Sequence, residues 1–334
     1  MDHRKKSISL ILLLSLWMIS TMSCSYLARN GNHQVYSKSK HGEDRFIIVQ
    51  GYNIHYVEVG GGEPVLLIPG AFSTYRHWNR MIPILSKHYR LLCMDYLGVG
   101  DSDKPRSGFG YTIEEQADLI ALMIGQLQIS RVHVVGVSYG GAIALNLAAR
   151  YPEKVDKIVS IEGNGFNGSH RKEISYGSLE GLLKIPVIGE VPIGVIRSGL
   201  ADRFVARSVM GKGWKELSDI EKKEVREIIS QNNKTASRIS WYHISRTLKT
   251  SRDFTEEIRK ISTPVLYLYG ERSGYQEMAK SNAIFLRTHL PNIEVVSLRD
   301  GIHDLQLQKP EEAGSIMMEF IGGQPLTFGK STIE

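Results

Sequence analysis

A serine with glycine two places before it and two places after carries the plainest chemistry in this 334-residue chain: Gly136-Val137-Ser138-Tyr139-Gly140-Gly141. The apolar run Val132 to Val137 reads as a strand and Ala142 to Arg150 as a helix, so Ser138 falls where one turns sharply into the other. Such a turn pushes a hydroxyl clear of the sheet, and glycine at 136 and 140 relieves the crowding it creates. The helix that starts there also aims unpaired backbone N–H groups at negative charge forming beside the serine. The chemistry is nucleophilic: attack on a carbonyl, then a covalent intermediate that water cleaves. A glycine-rich turn with an inert serine has the same letters. The strand before and the helix after favour the nucleophile.

The elements that must hold Ser138 can be read in order. Arg45 to Gln50 and Asn53 to Val59 alternate around Gly51 and predict a hairpin. Val65 to Ile68 and Tyr89 to Met94 are short apolar runs, as strands buried on both faces should be. A helix is expected from Arg76 to Leu85. Another is expected from Ile113 to Leu127, opened by a capping box of Thr112 and Glu115. Lys157 to Ile161 is a further strand. From Asn164 to Arg252 only amphipathic stretches occur, among them Leu217 to Ile229 and Thr235 to Leu248. Alternation then resumes: strand Val265 to Tyr269, helix Gln276 to Thr288, strand Glu294 to Leu298, helix Leu305 to Ile321. This pattern predicts an α/β fold, a parallel sheet covered on both faces, with a helical insertion over the strand carboxyl ends.

Composition is that of a globular protein, and no nucleic-acid module is present. The first residues differ. Arg4, Lys5 and Lys6 precede the apolar run Ile8 to Met18 and then Thr21-Met22-Ser23-Cys24-Ser25, which predicts an export signal over 1–23 and a tether over 24–44. Cys24 sits where a lipid-modified cysteine would sit, and the stretch resembles a bacterial lipoprotein signal. Ordinary cleavage or an uncleaved anchor are the other readings. The expected location is the cell envelope. Cys93 lies in a predicted buried strand and Cys24 outside the folded domain, so no disulfide is expected, and the sequence holds no zinc-type cluster of Cys and His. The net charge is +6, but Arg171 to Arg252 alone holds sixteen Lys and Arg against nine Asp and Glu. Solvated helices explain that excess, and so does a basic surface facing anionic lipid or an acidic substrate.

With these residues in view, the chain resembles the alpha/beta-hydrolase superfamily from Arg45 to Ile321. The motifs are Pro69-Gly70-Ala71, Asp95-x-x-Gly98-x-Gly100-x-Ser102, the Ser138 turn and Gly301-Ile302-His303, in that order. Gly100 to Pro105 and Gly301 to Pro310 resemble the haloalkane dehalogenase and epoxide hydrolase branch. The resemblance implies a mostly parallel eight-stranded sheet, a core of 45–163 and 253–322, and a helical cap of 164–252 inserted after the sixth strand. Members of that branch use an aspartate nucleophile, whose alkyl ester water can cleave. An alkyl ether on serine could not be opened that way, so Ser138 suits acyl transfer instead.

The resemblance also implies partners for Ser138. His303 is the expected base. The orienting acid usually stands three residues after the glycine ending the seventh strand, and here that position is Ser273. Glu162, at the end of the strand after Ser138, is the expected substitute, with Glu271 or Asp304 as alternatives. Backbone N–H groups of Tyr139 and Ala71 are the expected oxyanion donors, with Phe72 a less favoured one and a pocket wall. Pro69 replaces a histidine common in relatives, a side chain that helps fix this loop. Asp95 is expected to bind backbone N–H groups of its own loop. Trp78, Trp214 and Trp241 are expected in packing. Leu182, Leu183, Ile185, Val187 and Ile188 fit either an acyl pocket or the cap's own core.

The reading that follows is an exported carboxylic ester hydrolase needing no metal or organic cofactor. Its expected substrate is a small acyl ester or a lipid, with contact to a membrane surface through a lipid anchor and the basic cap. Amide or carbon–carbon hydrolysis on the same residues is the first alternative. A non-catalytic binding protein that has lost its acid is the second.

Overall fold

The computed structural model describes residues 35–163, 177–250 and 253–327. The predicted signal, Cys24 and most of the tether lie outside the described residues. The described residues from Ser37 onward form one compact unit.

The strands are β1 (Glu43–Val49), β2 (Tyr52–Val59), β3 (Pro64–Ile68), β4 (Arg90–Met94), β5 (Val132–Val137), β6 (Val155–Ile161), β7 (Val265–Gly270) and β8 (Ile293–Leu298). They form one sheet in the order β1-β2-β4-β3-β5-β6-β7-β8. The β1–β2 and β2–β4 pairs are antiparallel and the rest parallel. The tether was expected to run to residue 44, but Glu43 and Asp44 already belong to β1. The Asp44 carboxylate is fixed there, accepting from Ser39 N at 2.8 Å and meeting His55 Nε2 at 3.1 Å.

The core helices are α1 (Ile82–Leu85), α2 (Ile113–Gln126) and α3 (Tyr139–Arg150). The cap follows β6 and contains α4 (Gly177–Lys184), α5 (Pro186–Arg197), α6 (Asp202–Met210), α7 (Asp219–Asn233) and α8 (Arg238–Thr250). The chain then returns to the core with α9 (Thr255–Ile258), α10 (Gln276–His289), α11 (Leu305–Gln308) and α12 (Pro310–Ile321). Among the described residues the cap contains no strand. The helix expected over 76–85 is instead a 3-10 turn, Tyr75–Trp78, and the short α1, which has Pro83 in its first turn. The helix expected over 305–321 divides at Lys309-Pro310, because proline opens a helix but cannot continue one. At α2 the capping box is present, with Glu115 N donating to Thr112 Oγ1 and Thr112 N to Glu115.

Both sheet faces are buried. On β7, Val265, Tyr267 and Tyr269 pack on one side while Leu266 and Leu268 pack on the other. That is why these strands read as unbroken apolar runs. Within the cap, Ala206, Met210 and Trp214 pack against Ile302 and Leu307 of the core. Leu183, Ile193 and Ala236 make a smaller cluster. Trp78 and Trp214 are buried, and Trp241 packs against that smaller cluster. Cys93 is a buried free thiol.

Candidate active site

Ser138 sits between β5 and α3 with φ 54° and ψ −117°, a conformation that side chains rarely adopt. The backbone closes so tightly around it that a side chain at 136 would meet Gly140 O at 2.2 Å. One at 140 would meet Ile68 O at 2.4 Å. Neither position tolerates a Cβ, so the two glycines are a requirement of the turn. The helix begins at Tyr139 itself, earlier than the sequence suggests. Its first N–H groups therefore open onto the site. The Tyr139 side chain is fully buried and turned away, donating from its hydroxyl to Tyr111 O at 2.8 Å.

Ser138 and His303 line one cavity of about 520 Å³. Gly70, Ala71, Phe72 and Val137 form part of its floor, and Ser208, Val209 and Met210 of α6 form part of its roof. This volume is in the range of small-molecule sites.

Glu162 follows β6 at a positive φ of 42° and is buried. Its Oε2 lies 2.6 Å from His303 Nδ1. The same carboxylate accepts from Gly270 N at 2.8 Å and from Ser273 Oγ at 2.7 Å. Three bonds thus satisfy a charge held almost entirely out of water. Burial alone lowers the His303 pKa, but the Glu162 carboxylate, by charge and by hydrogen bond, together with Asp304, leaves it raised above its ordinary value. The other two candidate acids are bonded to other groups, although Asp304 also lines the cavity. Glu271 is exposed and accepts from Ser297 Oγ at 2.8 Å, and Asp304 accepts from Gln306 Nε2 at 2.8 Å.

The loop after β3 is held from two sides. Tyr96 Oη donates to Gly70 O at 3.1 Å and accepts from Phe72 N at 3.2 Å. Phe72 N is therefore engaged, which removes it as an oxyanion donor. Asn232, at the end of α7 in the cap, accepts from Thr74 N at 2.6 Å and donates to Phe72 O at 3.0 Å. These contacts fix the loop in which Pro69 replaces the family's histidine. Asp95 accepts from Asp101 N of its own loop at 3.0 Å, as expected, and also from Tyr75 N in the turn after β3 at 2.8 Å.

Sequence reasoning missed three of these residues. Asn232 meets a loop 158 positions away, a pairing with no local signature. Ser273 donates to the acid rather than replacing it. His77 is buried on the cavity wall, and among the described residues neither ring nitrogen has a hydrogen-bond partner. Burial lowers its pKa, although Asp304, 3.9 Å away, pulls the other way. The candidate acyl pocket is also corrected. None of Leu182, Leu183, Ile185, Val187 and Ile188 lines the cavity. Leu183 is buried in the cap, while the other four are exposed because α4 and α5 turn that side outward.

A family model described as the alpha/beta hydrolase fold matches residues 63–180. Over 118 residues the chain is 32% identical to the 2-hydroxy-6-oxo-2,4-heptadienoate hydrolase of Pseudomonas putida, which is 34% of this chain and 42% of that protein. Epoxide hydrolase 4 of Mus musculus is 23% identical over 283 residues, 81% of this chain and 77% of that one. Among solved structures, a membrane phospholipase A described as a bacterial virulence factor superposes with a TM-score of 0.66 at 22% identity. That superposition covers 96% of this chain and 98% of the phospholipase. Several curated relatives are matched over less than half of their own length, 42%, 39% and 48% in three cases.

Proposed function

The chain belongs to the alpha/beta-hydrolase superfamily, and from that premise we propose that it is a serine hydrolase cleaving carboxylic esters through an acyl-enzyme. The observation that carries this reading is the 2.6 Å contact between Glu162 Oε2 and His303 Nδ1 on the wall of the cavity that Ser138 shares. With Nδ1 donating to Glu162, Nε2 is left as the base. It takes the Ser138 proton during attack and returns it to the leaving alkoxide. The Glu162 carboxylate orients and stabilises the imidazolium. The N–H groups of Tyr139 and Ala71 receive the oxyanion. Water then enters, loses a proton to His303 and releases the acid.

The test is a fluorophosphonate probe followed by a panel of acyl esters and amides. Labelling of wild type but not of Ser138→Ala, with turnover of p-nitrophenyl esters, is the expected result. Absence of labelling in folded protein would instead favour the binding-module reading. The Pseudomonas putida relative favours a second reading, carbon–carbon bond hydrolysis on the same residues. A vinylogous 1,5-diketone turned over faster than any ester would select it.

We further infer that the N-terminal stretch directs export and that Cys24 carries a lipid. The basic start, short apolar run and Ser23-Cys24 pair support this. Cys24→Ser should release the protein from membranes or leave the signal uncleaved, and unchanged membrane extraction would end the idea.

A further inference from the structure

The cap turns an apolar face to solvent where a globular protein would normally bury one. On α5, Val187, Ile188, Val191 and Val195 are all exposed, at the i, i+4 spacing that sets them on one side of the helix. Ile193, on the other side, is buried against the cap. Beyond the helix, Leu200 and Phe204 are 83% and 76% exposed. A series of large apolar side chains this open marks an interaction surface.

Charge says what kind. The exposed charges on the described side chains from 181 to 212 are all positive: Lys184, Arg203, Arg207 and Lys212. The two acids in that range are less exposed and paired with neighbours. Arg238 Nε donates to Glu190 at 3.1 Å, and Asn233 Nδ2 donates to Asp202 at 2.8 Å. Exposed apolar side chains in a stretch whose exposed charges are all Lys and Arg suit an interface with an apolar interior and an acidic surface, and not a second copy, which would set the same positive charges against each other. The face also adjoins the site. The helix that carries Phe204 outward ends in Ser208, Val209 and Met210, which line the cavity of Ser138 and His303.

We propose that this face of the cap, α5 with the start of α6, docks on an anionic lipid bilayer. The face would sit at the level of the headgroups and first methylenes, bringing the cavity roof to the surface where acyl esters reside. Docking does not depend on which bond the enzyme cleaves, so the test separates it from the catalytic reading.

The full chain is made with Ser138→Ala, to leave lipid intact, and Cys24→Ser, which leaves Cys93 as the remaining native cysteine, buried and unreactive. Val191→Cys is labelled with the polarity-sensitive fluorophore NBD; Glu153→Cys, on the exposed turn before β6, is the control. Vesicles of phosphatidylglycerol and phosphatidylcholine should shift the emission at 191 to the blue and raise it roughly two- to threefold. The label at 153 should not respond. Raising salt from about 0.05 M to about 0.5 M should weaken the response. Vesicles that co-float with the protein while 191 stays silent would place binding elsewhere and overturn the proposal. So would an equal response to neutral and anionic vesicles. A rise at 191 with protein concentration alone would make the face a self-association surface, which also overturns it.

Discussion

Ser273 Oγ donates to Glu162 Oε2 at 2.7 Å, and that same oxygen meets His303 Nδ1 at 2.6 Å. Residue 273, where the resemblance implies an acid, is thus a donor to a carboxylate supplied from the end of the neighbouring strand, β6.

Removing that carboxylate has a specific cost. Glu162→Gln should lower kcat on a short p-nitrophenyl ester by roughly 10⁴, the loss expected for a wrongly oriented imidazole. Glu271→Gln should change it little, since that side chain is bonded to Ser297. Ser273→Ala removes one of three bonds to the charge and should cost about tenfold. Steady-state kinetics of the three variants checks the ranking. A large loss at 271 with none at 162 would move the acid to the seventh strand.

The pH profile gives an independent readout. His303 must be neutral to accept the Ser138 proton, and its pKa is raised by the Glu162 carboxylate and Asp304 against the effect of burial. The acidic limb of kcat/KM should therefore lie above the ordinary histidine value. In Glu162→Gln the residual activity should show that limb displaced to lower pH. A limb that stays in place would mean that another group titrates.

Asn232 should matter to catalysis without touching substrate. Asn232→Ala deletes the bonds to Thr74 N and Phe72 O that hold the oxyanion loop. A fall in kcat of roughly 10- to 100-fold is expected, with KM little changed. Burst kinetics would show the loss in the acylation step. A pure KM effect would count against a role in fixing the loop.

Stability should fall at alkaline pH because of a group far from chemistry. His55 is buried between Asp95, 2.8 Å from Nδ1, and Asp44, 3.1 Å from Nε2. Burial opposes its charge, but the two carboxylates raise its pKa from 6.5 to about 9. A pKa raised on folding stabilises fully below the unfolded value and is lost as pH rises through the folded one. The window is thus about pH 6.5 to 9, and the loss is on the order of 3 kcal/mol. Urea unfolding across that range checks it, and His55→Gln should flatten the slope.

Much of this architecture was legible before any coordinates, and the reasons are local. Strands such as Val265 to Tyr269 are apolar throughout because both their faces are packed. Gly136 and Gly140 are demanded by a turn that admits no Cβ. Thr112 and Glu115 bond within three residues of each other. Two prolines break the expected helices: Pro83 lies in the first turn of a four-residue helix, and Pro310 opens a separate twelve-residue one. What stayed hidden depends on side chains that meet across the fold. Asn232 looks like any polar helix end, and Ser273 like a simple loss. The apolar residues of α5 read as buried because hydrophobicity alone does not say which side of a helix has company.

The cap is fastened unevenly to the body. Helix α7 is tied near both ends, by Arg80 Nη2 donating to Glu221 at 2.8 Å and by Asn232 gripping the loop after β3. Among the described residues, α5 bonds within the cap, through Glu190 to Arg238 of α8 and through Arg197 to Ala236 O just before it. A rearrangement that admits a bulky guest should therefore swing the α5 edge outward and leave the anchored side, α6 and α7, still. The groups that receive a developing negative charge would then keep their positions while the doorway widens.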